Sequence, residues 1–380
     1  MTIILIPRET SDGERRVSAT PETIKKLINK NCQVFIEESA GELSGFSDID
    51  YKQVGATIYK KNDIEAWGEA DIVLCVQMPE ENFLRKMKEG SLLIGLLAPY
   101  GNNVLKRVLN DKKILALSLE LLPRISRAQS SDALSSQANI AGYKAVLIAA
   151  SALDRYFPML MTAAGTVQPA KVIVLGGGVA GLQAVATAKR LGAVVFVSDI
   201  RESVKEQVES LGARFIELPK IEKQSSESGG YAQSVSEEFL KEQRKILSDK
   251  LAESDVAICT AQVPGKKAPV LINLEMLDRM RKGSVVVDLA VSQGGNCEGT
   301  KSNETVARNG IKLIGASDLP SSVPNHASNL YSKNLFSLIS PFINDGSLEI
   351  DFNDELISGS LLTKDGNSKI KDIFELGGGF

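Results

Sequence analysis

The chain has 380 residues, of which 44 are Lys or Arg and 47 are Asp or Glu, so its formal net charge is −3. This length corresponds to about two domains. No run of Lys and Arg is long enough to follow a nucleic-acid backbone, and no apolar run reaches the roughly 20 residues that cross a bilayer. The N-terminal residues lack the pattern of a signal peptide. We therefore expect a soluble, cytosolic protein that binds no nucleic acid.

The cysteines are scattered along the chain without the C-x-x-C spacing of a metal or redox site. They are Cys32, Cys75, Cys259 and Cys297. We expect reduced thiols in core or surface positions, and no metal site.

Short runs rich in Val, Ile and Leu alternate with amphipathic segments such as "TPETIKKLINK", "VLKRVLND" and "INLEMLDRMRK". Continuous apolar runs predict strands buried on both faces, and their alternation with helices predicts parallel sheets. The strands predicted in the first half of the chain are 3–6, 33–36, 72–76, 92–97 and 114–119. Those predicted in the second half are 171–175, 194–198, 255–260, 285–289 and 312–314.

The pattern predicts an α/β fold with two Rossmann-like, doubly wound, parallel-sheet domains, of which the first is discontinuous. The first domain comprises residues 1–137 and 318–380, and the second comprises residues 138–317. The helical stretch "SNLYSKNLFSLISPFI" is expected to return to the first domain. Past Asn344 the chain becomes polar and rich in glycine, which predicts a surface hairpin and a loose terminus.

A glycine-rich turn and a helical pattern follow the strand at 171–175, in "KVIVLGGGVAGLQAVATAKRLGA". Gly176, Gly178 and Gly181 form a G-x-G-x-x-G fingerprint, whose glycines allow a tight turn and a close approach to a pyrophosphate. The helix N-terminus supplies N–H groups and the positive end of its dipole. The sequence therefore predicts a dinucleotide site that also includes Gly177 and Val179. The less favoured alternative is a tight strand–helix turn without a nucleotide.

The next predicted strand ends at Asp199, about 20 residues after the fingerprint, where a carboxylate can accept from the adenosine ribose 2′-hydroxyl. The same carboxylate would repel the 2′-phosphate of NADP. Arg201 argues in the other direction, because an arginine at this place can bind a 2′-phosphate. Asp199 stands at the strand tip, so we predict NAD(H) as the cofactor, with Ile200 and Arg201 beside it.

Two further loops belong to the second domain. "TAQVPGKKAP" places Gln262, Val263 and Pro264 at the carboxyl end of a strand, so we predict that they line the nicotinamide side. An ordinary connecting loop is the alternative. The long polar stretch "KQSSESGGYAQSVSEEF" contains Gly230 and Tyr231 and is typical of either a lid or a disordered segment.

Candidate residues for catalytic proton transfer are scarce in this sequence. The one histidine, His326, stands at the start of a helical segment, where a surface or capping role is expected. A dehydrogenase of an alcohol or amino acid must move a proton as well as a hydride, and histidine or lysine usually does so. The sequence lacks such a base at the expected place.

Several stretches closely resemble one known family: "PRETSDGERRVSATPETIKKL", "RISRAQSSDALSSQANIAGYKAV", "FPMLMTAAGTVQPAKVIVLGGGVAGLQAVATAKRLGA", "PGKKAPVLI" and "GSVVVDLAVSQGGNCE". They are similar to the NAD(H)-binding subunit of proton-translocating NAD(P) transhydrogenases, and the resemblance extends to about Ile343. The family is related to the alanine dehydrogenases, which share the two-domain fold and the "GERRV…TP" pattern.

The resemblance distinguishes the two relatives. Alanine dehydrogenases carry a pyruvate-binding lysine and a catalytic histidine, where this chain has Gln77 and the residues Leu97, Ala98 and Pro99. Arg16 matches the family's substrate arginine, but alone it cannot move the proton. Transhydrogenation needs no such group, because a hydride passes directly between two nicotinamides and positioning is the whole catalytic task.

The resemblance also assigns the stretch "RISRAQSSDALSS" to the family's loop at the nicotinamide end. The residues expected to position the ring are Arg124, Gln129, Asp132 and Ser135, and those expected to contact the nucleotide include Ile125, Ser126 and Arg127. The arginine can face the pyrophosphate or a partner protein. The amide, carboxylate and hydroxyl groups can hold the carboxamide and the ribose by hydrogen bonds. The alternative is a solvated loop in which Asp132 or Ser131 caps the next helix.

The resemblance assigns two more residues to the nucleotide site. Tyr231 is similar to the family's mobile-loop tyrosine, which closes over bound nucleotide. Gln243 matches another position on the nucleotide side, and a solvated helix face explains it equally well.

The family implies partners that the sequence itself does not show. NADP(H) is expected on a separate NADP-binding beta subunit, and proton transfer is expected through membrane-spanning subunits. The chain is expected to form a homodimer and to dock peripherally on the cytoplasmic face of the membrane. The alternatives to this function are an alanine-dehydrogenase-like enzyme and a non-catalytic NAD-binding module.

Overall fold

The structure is a computed structural model that describes residues 1–60, 63–101, 103–218, 237–263 and 265–370. The chain divides into two compact units. The first consists of Met1–Gln137 together with the chain from Pro320 onward, and the second of Ala138–Leu319. Among the described helices, none combines the length and the apolar character that a membrane span requires.

In chain order, the strands are β1 (Ile3–Ile6), β2 (Gln33–Glu37), β3 (Thr57–Tyr59), β4 (Ile72–Gln77), β5 (Leu92–Leu96), β6 (Leu115–Ser118), β7 (Leu160–Thr162), β8 (Gly165–Val167), β9 (Lys171–Leu175), β10 (Val194–Ser198), β11 (Arg214–Phe215), β12 (Val256–Cys259), β13 (Val285–Asp288), β14 (Thr305–Arg308), β15 (Ile311–Gly315), β16 (Ile343–Asn344), β17 (Ser347–Leu348), β18 (Leu361–Lys364) and β19 (Asn367–Ser368).

The α-helices follow the same order. They are α1 (Pro21–Ile28), α2 (Asp48–Gln53), α3 (Glu65–Glu69), α4 (Glu81–Leu84), α5 (Asn103–Asp111), α6 (Ala133–Ala152), α7 (Val179–Arg190), α8 (Lys205–Ser210), α9 (Glu237–Glu253), α10 (Leu274–Asp278), α11 (Pro324–Ile339) and α12 (Glu355–Ser360).

Eight of the described strands of the first unit form one sheet in the order β19-β18-β6-β5-β4-β1-β2-β3, and β16 and β17 form a separate two-stranded sheet. β1 to β6 are parallel, whereas β18 pairs antiparallel with β6. Both faces are covered, because alternate residues of β4 enter two different apolar clusters. Ile72, Leu74 and Val76 belong to one cluster, and Val73 and Cys75 to the other.

The second unit contains a sheet in the order β11-β10-β9-β12-β13-β15-β14, parallel except for β14. After β9 the chain builds β10 and β11 on one side and then returns to build β12 and β13 on the other. The carboxyl ends of β9 and β12 therefore lie at a topological switch point, where open α/β sheets bind ligands. The predicted fold class, with two parallel-dominated Rossmann-like sheets, is confirmed.

The predicted strands are all present, and their ends agree with the prediction to within one residue. The prediction missed short edge strands such as β3, β11 and β14, because two to four residues with mixed polarity carry no clear periodicity.

The expectation of only a surface hairpin and a loose terminus past Asn344 was wrong for much of the tail. A short hairpin of β16 and β17 is present, but the chain then forms α12 and β18. Leu356, Ile357 and Leu362 are buried, so this segment belongs to the core of the first unit. Residues 371–380 lie outside the described residues.

Candidate nucleotide site

The glycine fingerprint occupies the turn between β9 and α7. Gly176 has a φ of +105°, in the region that favours glycine. Its N–H donates to the Ser198 carbonyl at 2.9 Å, and its carbonyl accepts from the Thr260 hydroxyl at 2.9 Å. The turn is thus joined to the ends of both neighbouring strands, β10 and β12.

The other two fingerprint glycines differ in what surrounds them. A Cβ at Gly181 would lie 1.9 Å from the carbonyl oxygen of Gly176, so the packing of helix on strand itself requires glycine there. A Cβ at Gly178 would meet no described protein atom within 4 Å. Protein packing therefore does not explain why residue 178 is a glycine. The open approach to its backbone suits the binding of a pyrophosphate.

Helix α7 begins just beyond this opening. Gly178 is its N-cap residue, with no side-chain cap among the described residues, and the Gly178 carbonyl accepts from the Leu182 N–H at 2.8 Å. The first N–H groups of a helix have no partner within the helix, and the helix dipole favours an anion beside them. The position suits a phosphate group.

Asp199 and Arg201 form a close pair at the end of β10. The Asp199 carboxylate accepts from the Gly177 N–H at 2.7 Å, from the Arg201 N–H at 2.8 Å, and from Arg201 Nε and Nη2 at 2.9 and 2.8 Å. Burial raises the pKa of Asp199, but the hydrogen bonds from Arg201 and Gly177 outweigh it, so the pKa lies below its ordinary value. Asp199 is therefore ionised at neutral pH.

The sequence alone did not say which way Arg201 points. The structure turns its guanidinium onto Asp199, so two of its nitrogens already have an acceptor. Ile200 lies between Asp199 and Arg201 in sequence and is 88% exposed. An exposed aliphatic side chain beside an ionised carboxylate suits the adenine and ribose of a nucleotide.

The loops after β12 and β13 are joined by buried polar groups. The Asn296 side chain accepts from the Ala261 N–H at 3.0 Å and donates to the carbonyls of Ala261 and Pro269 at 2.9 and 2.8 Å. Asp288 in turn accepts from the Asn296 N–H at 2.9 Å. Gln262 is exposed and donates to the Leu289 carbonyl at 2.8 Å. These contacts fix the loop that carries Gln262 and Val263.

The predicted nicotinamide loop lies in the first unit. Its residues 126–131 form a 3-10 turn, with Arg124, Ser126, Arg127 and Gln129 exposed and Ile125 half-buried. Asp132 accepts from the Ser135 N–H at 2.9 Å and from the Ser135 hydroxyl at 2.5 Å. Asp132 therefore caps the first turn of α6, as the alternative to a nucleotide-binding loop predicts, and Asp132 and Ser135 form one hydrogen-bonded pair.

Arg127 in this loop forms an ion pair with Asp354, the N-cap residue of α12. Asp354 also accepts from the Leu356 N–H at 2.8 Å. The start of α12 thus contacts the loop, which the sequence did not suggest.

The first unit also contains the matched substrate arginine. Arg16 is 5% exposed and donates Nε and Nη2 to Glu14 at 2.7 and 2.5 Å and Nη1 to Gln137 at 2.9 Å. Gln77 donates to Glu14 at 3.1 Å. Burial raises the pKa of Glu14, but hydrogen bonds from Arg16 outweigh it and the pKa lies below its ordinary value. Arg16 and Glu14 therefore neutralise each other.

The remaining predicted residues are distributed as follows. Gln243 lies on α9 of the second unit and is half-buried, and His326 is exposed in the first turn of α11. Gly230, Tyr231 and Pro264 lie outside the described residues.

Sequence reasoning missed Gly142, Thr260, Asp288 and Asn296. A Cβ at Gly142, on α6, would lie 2.0 Å from the carbonyl oxygen of Ala180 in the first turn of α7, so this glycine permits the close packing of the two helices. These residue types are common in proteins, so the local sequence did not mark the four positions as functional.

Comparison with known proteins agrees with this architecture. Residues 5–141 match the model "Alanine dehydrogenase/PNT, N-terminal domain", and residues 145–371 match "Alanine dehydrogenase/PNT, C-terminal domain". The chain belongs to the alanine dehydrogenase/PNT family.

Within this family the chain is similar to a Rhodospirillum rubrum protein named as the first part of NAD(P) transhydrogenase subunit alpha, with 45% identity over 371 residues, 96% of each chain. The crystal structure of transhydrogenase from Sinorhizobium meliloti superimposes with a TM-score of 0.87 at 39% identity, covering 96% of this chain and 99% of that one. A solved L-alanine dehydrogenase gives a TM-score of 0.79 at 25% identity, covering 97% of each chain. The resemblance stated from the sequence is confirmed, and the protein is an enzyme of the NAD(P) transhydrogenase class of oxidoreductases within the alanine dehydrogenase/PNT family.

Proposed function

We propose that this chain binds NAD(H) and supports direct hydride transfer between NADH and NADP held on a partner domain, coupled to proton translocation by membrane subunits. The observation that carries the proposal is the arrangement around Gly178. An open backbone at the start of a helix lies at a topological switch point, next to an ionised carboxylate, Asp199.

The residues of the second unit are suited to NAD(H) over NADP(H). Asp199 is ionised and would repel a 2′-phosphate, and Arg201 is already hydrogen-bonded to Asp199. The first N–H groups of α7 would hold the pyrophosphate. Gln262 lies at the carboxyl end of β12 and would line the nicotinamide side, and Gln243 would contact the nucleotide from α9.

When bound, NADH supplies the hydride. Arg124, Gln129, Asp132 and Ser135 would then orient the nicotinamide end, Asp132 and Ser135 as a fixed pair and the other two as exposed side chains. Positioning of this kind contributes as much as about 7–11 kcal/mol to rate acceleration. No described residue of this loop needs to exchange a proton with a substrate.

We propose a homodimer as the working form, with a beta subunit that carries NADP(H) and with membrane-spanning subunits as partners. The chain would then lie peripherally on the cytoplasmic face of the membrane. The exposed hairpin of β7 and β8 supports an association surface there, since Met161 is 80% exposed and residues 162–168 are also exposed.

Stopped-flow absorbance tests the proposal. The protein is mixed with an isolated NADP-binding domain of a transhydrogenase, with NADPH as donor and acetylpyridine adenine dinucleotide as acceptor. We expect fast transfer that requires this chain and that Gln129→Ala and Asp132→Ala slow by about tenfold or more. Nucleotide binding with no transfer would contradict the proposal and favour a non-catalytic NAD-binding module.

An alanine-dehydrogenase-like activity is the second candidate, because the matched substrate arginine, Arg16, is retained. A keto-acid carboxylate would have to bind a guanidinium that is buried and already paired with Glu14. Gln77 adds no positive charge. We expect no oxidation of NADH in the presence of pyruvate and ammonium; robust oxidation would favour this candidate instead.

A further inference from the structure

Asn334 joins two points of the loop that holds Gln129, Asp132 and Ser135. It lies on α11, is 8% exposed, and donates its Nδ2 to the Ser130 carbonyl at 2.8 Å. Its Oδ1 accepts from the Ser136 hydroxyl at 2.7 Å. One buried amide therefore binds the segment on either side of the Asp132–Ser135 pair.

Two backbone hydrogen bonds within this segment are longer. The Asp132 N–H reaches the Gln129 carbonyl at 3.4 Å, and the Ser136 N–H reaches the Asp132 carbonyl at 3.2 Å. Hydrogen bonds weaken as they lengthen beyond about 3 Å. The Asn334 contacts are shorter than these two backbone bonds, and they join the segment to a different element, α11.

The helix that carries Asn334 is itself firmly fixed. Tyr331, Leu335 and Leu338 are at most 1% exposed, and the Tyr331 hydroxyl donates to the Cys75 carbonyl at 2.8 Å. A buried amide on a packed helix transmits the rigidity of the core to the residues that it binds.

The chemistry explains why this position carries asparagine. The loop presents a carbonyl acceptor at Ser130 and a hydroxyl donor at Ser136, and an amide offers one donor and one acceptor to match them. Aspartate would keep the bond from Ser136 but would place an acceptor against the Ser130 carbonyl. Alanine would leave both partners without this contact, and a buried polar group without a partner is destabilising.

We propose that Asn334 is a positioning residue for hydride transfer, which sets the orientation of Gln129, Asp132 and Ser135 without touching the nucleotide. The proposal rests on the proposed function of that loop. Because the predicted adenosine and pyrophosphate contacts lie in the second unit, loss of Asn334 is expected to change the transfer step more than NADH affinity.

The test compares Asn334→Ala and Asn334→Asp with Asn329→Ala, a control on the same helix. Among its described contacts, the Asn329 side chain donates only to Asn325, which also lies on α11. Three quantities are measured: hydrogen exchange of residues 126–136 without nucleotide, the Kd for NADH from its fluorescence, and the single-turnover transfer rate to the NADP-domain partner.

For both Asn334 variants we expect exchange in residues 126–136 to rise by about tenfold while exchange in β9 and β10 stays unchanged. The Kd for NADH should stay within about threefold, and the transfer rate should fall by about tenfold or more. Asn329→Ala should resemble the wild type in all three. If Asn334→Ala does not fold, Asn334→Asp, which keeps one of the two contacts, decides the question.

Wild-type transfer rates in the Asn334 variants, or a rate that falls only in proportion to NADH affinity, would overturn the positioning role. Unchanged exchange in residues 126–136 would also overturn it. If the wild type itself transfers no hydride, it is the proposed function that fails, and exchange then still reports whether Asn334 holds the loop.

Discussion

The backbone N–H of Gly177 donates to the side chain of Asp199 at 2.7 Å, which joins the glycine turn after β9 directly to the tip of β10. We expect Asp199→Asn to raise the Kd for NADH by about 10- to 100-fold, because a hydrogen bond to a charged group contributes about 1.5–3 kcal/mol. Fluorescence titration with NADH measures the change. Glu206→Gln, an exposed acid on α8, is the control and should bind as the wild type does.

The same pair predicts how the enzyme discriminates between the two dinucleotides. Asp199→Ala removes the repelling charge and frees Arg201 from its bonds at 2.8 and 2.9 Å. We expect NADPH affinity to rise by about tenfold while NADH affinity falls, since an arginine binds a phosphate well. The double variant Asp199→Ala/Arg201→Ala should lose the gain for NADPH. A gain that persists in the double variant would mean that Arg201 is not its source.

Two glycines of one motif should respond differently to the same substitution. Gly181→Ala places a Cβ 1.9 Å from a backbone oxygen, so we expect a loss of stability of about 3 kcal/mol or more. Gly178→Ala meets no described protein atom, so its urea denaturation curve should match that of the wild type. Its Kd for NADH should nevertheless rise by about tenfold or more, because the methyl group would occupy the proposed pyrophosphate position. Equal NADH affinity in Gly178→Ala would contradict the proposed site.

Glu9 predicts a pH dependence of stability. It accepts from the backbone N–H groups of Val76 and Gln77 at 2.6 and 3.0 Å, but burial dominates and raises its pKa from 4.5 to about 8. Between these values the folded chain keeps a proton that the unfolded chain releases, so stability falls as pH rises from about 4.5 to 8.

Urea denaturation at pH 5 and pH 8 measures this effect. The wild type should lose stability between the two, by at most about 1.4 kcal/mol for each pKa unit crossed. Glu9→Gln cannot titrate, so its loss over the same interval should be smaller, whatever its absolute stability. An equal loss in both proteins would show that other groups cause the dependence.

The exposed hairpin predicts an effect on association. We expect Met161→Asp, at a site 80% exposed, to shift the proposed homodimer towards monomer in sedimentation equilibrium. Val270→Asp, at another exposed apolar site of the same unit, is the control. A dimer that is equally stable in both variants would place the interface elsewhere.

Local patterns determined much of this protein. The apolar runs gave the long parallel strands, since residues buried on both faces of a sheet must be apolar throughout. The spacing of Gly176, Gly178 and Gly181 after β9 predicted the turn; backbone conformation restricts position 176 to glycine, and close packing restricts position 181. The stretches that resemble the transhydrogenases indicated the family. The position of Asp199 at the tip of β10 could be predicted from its distance along the chain after the glycine fingerprint.

Tertiary structure alone decided the direction of Arg201, the pairing of Arg16 with Glu14 and Gln137, and the return of β18 to the main sheet. It also decided the contacts of Asn334, whose partners Ser130 and Ser136 are 204 and 198 residues away in sequence. Hydrogen bonds of buried polar side chains depend on which distant elements pack together, and no local periodicity encodes that choice.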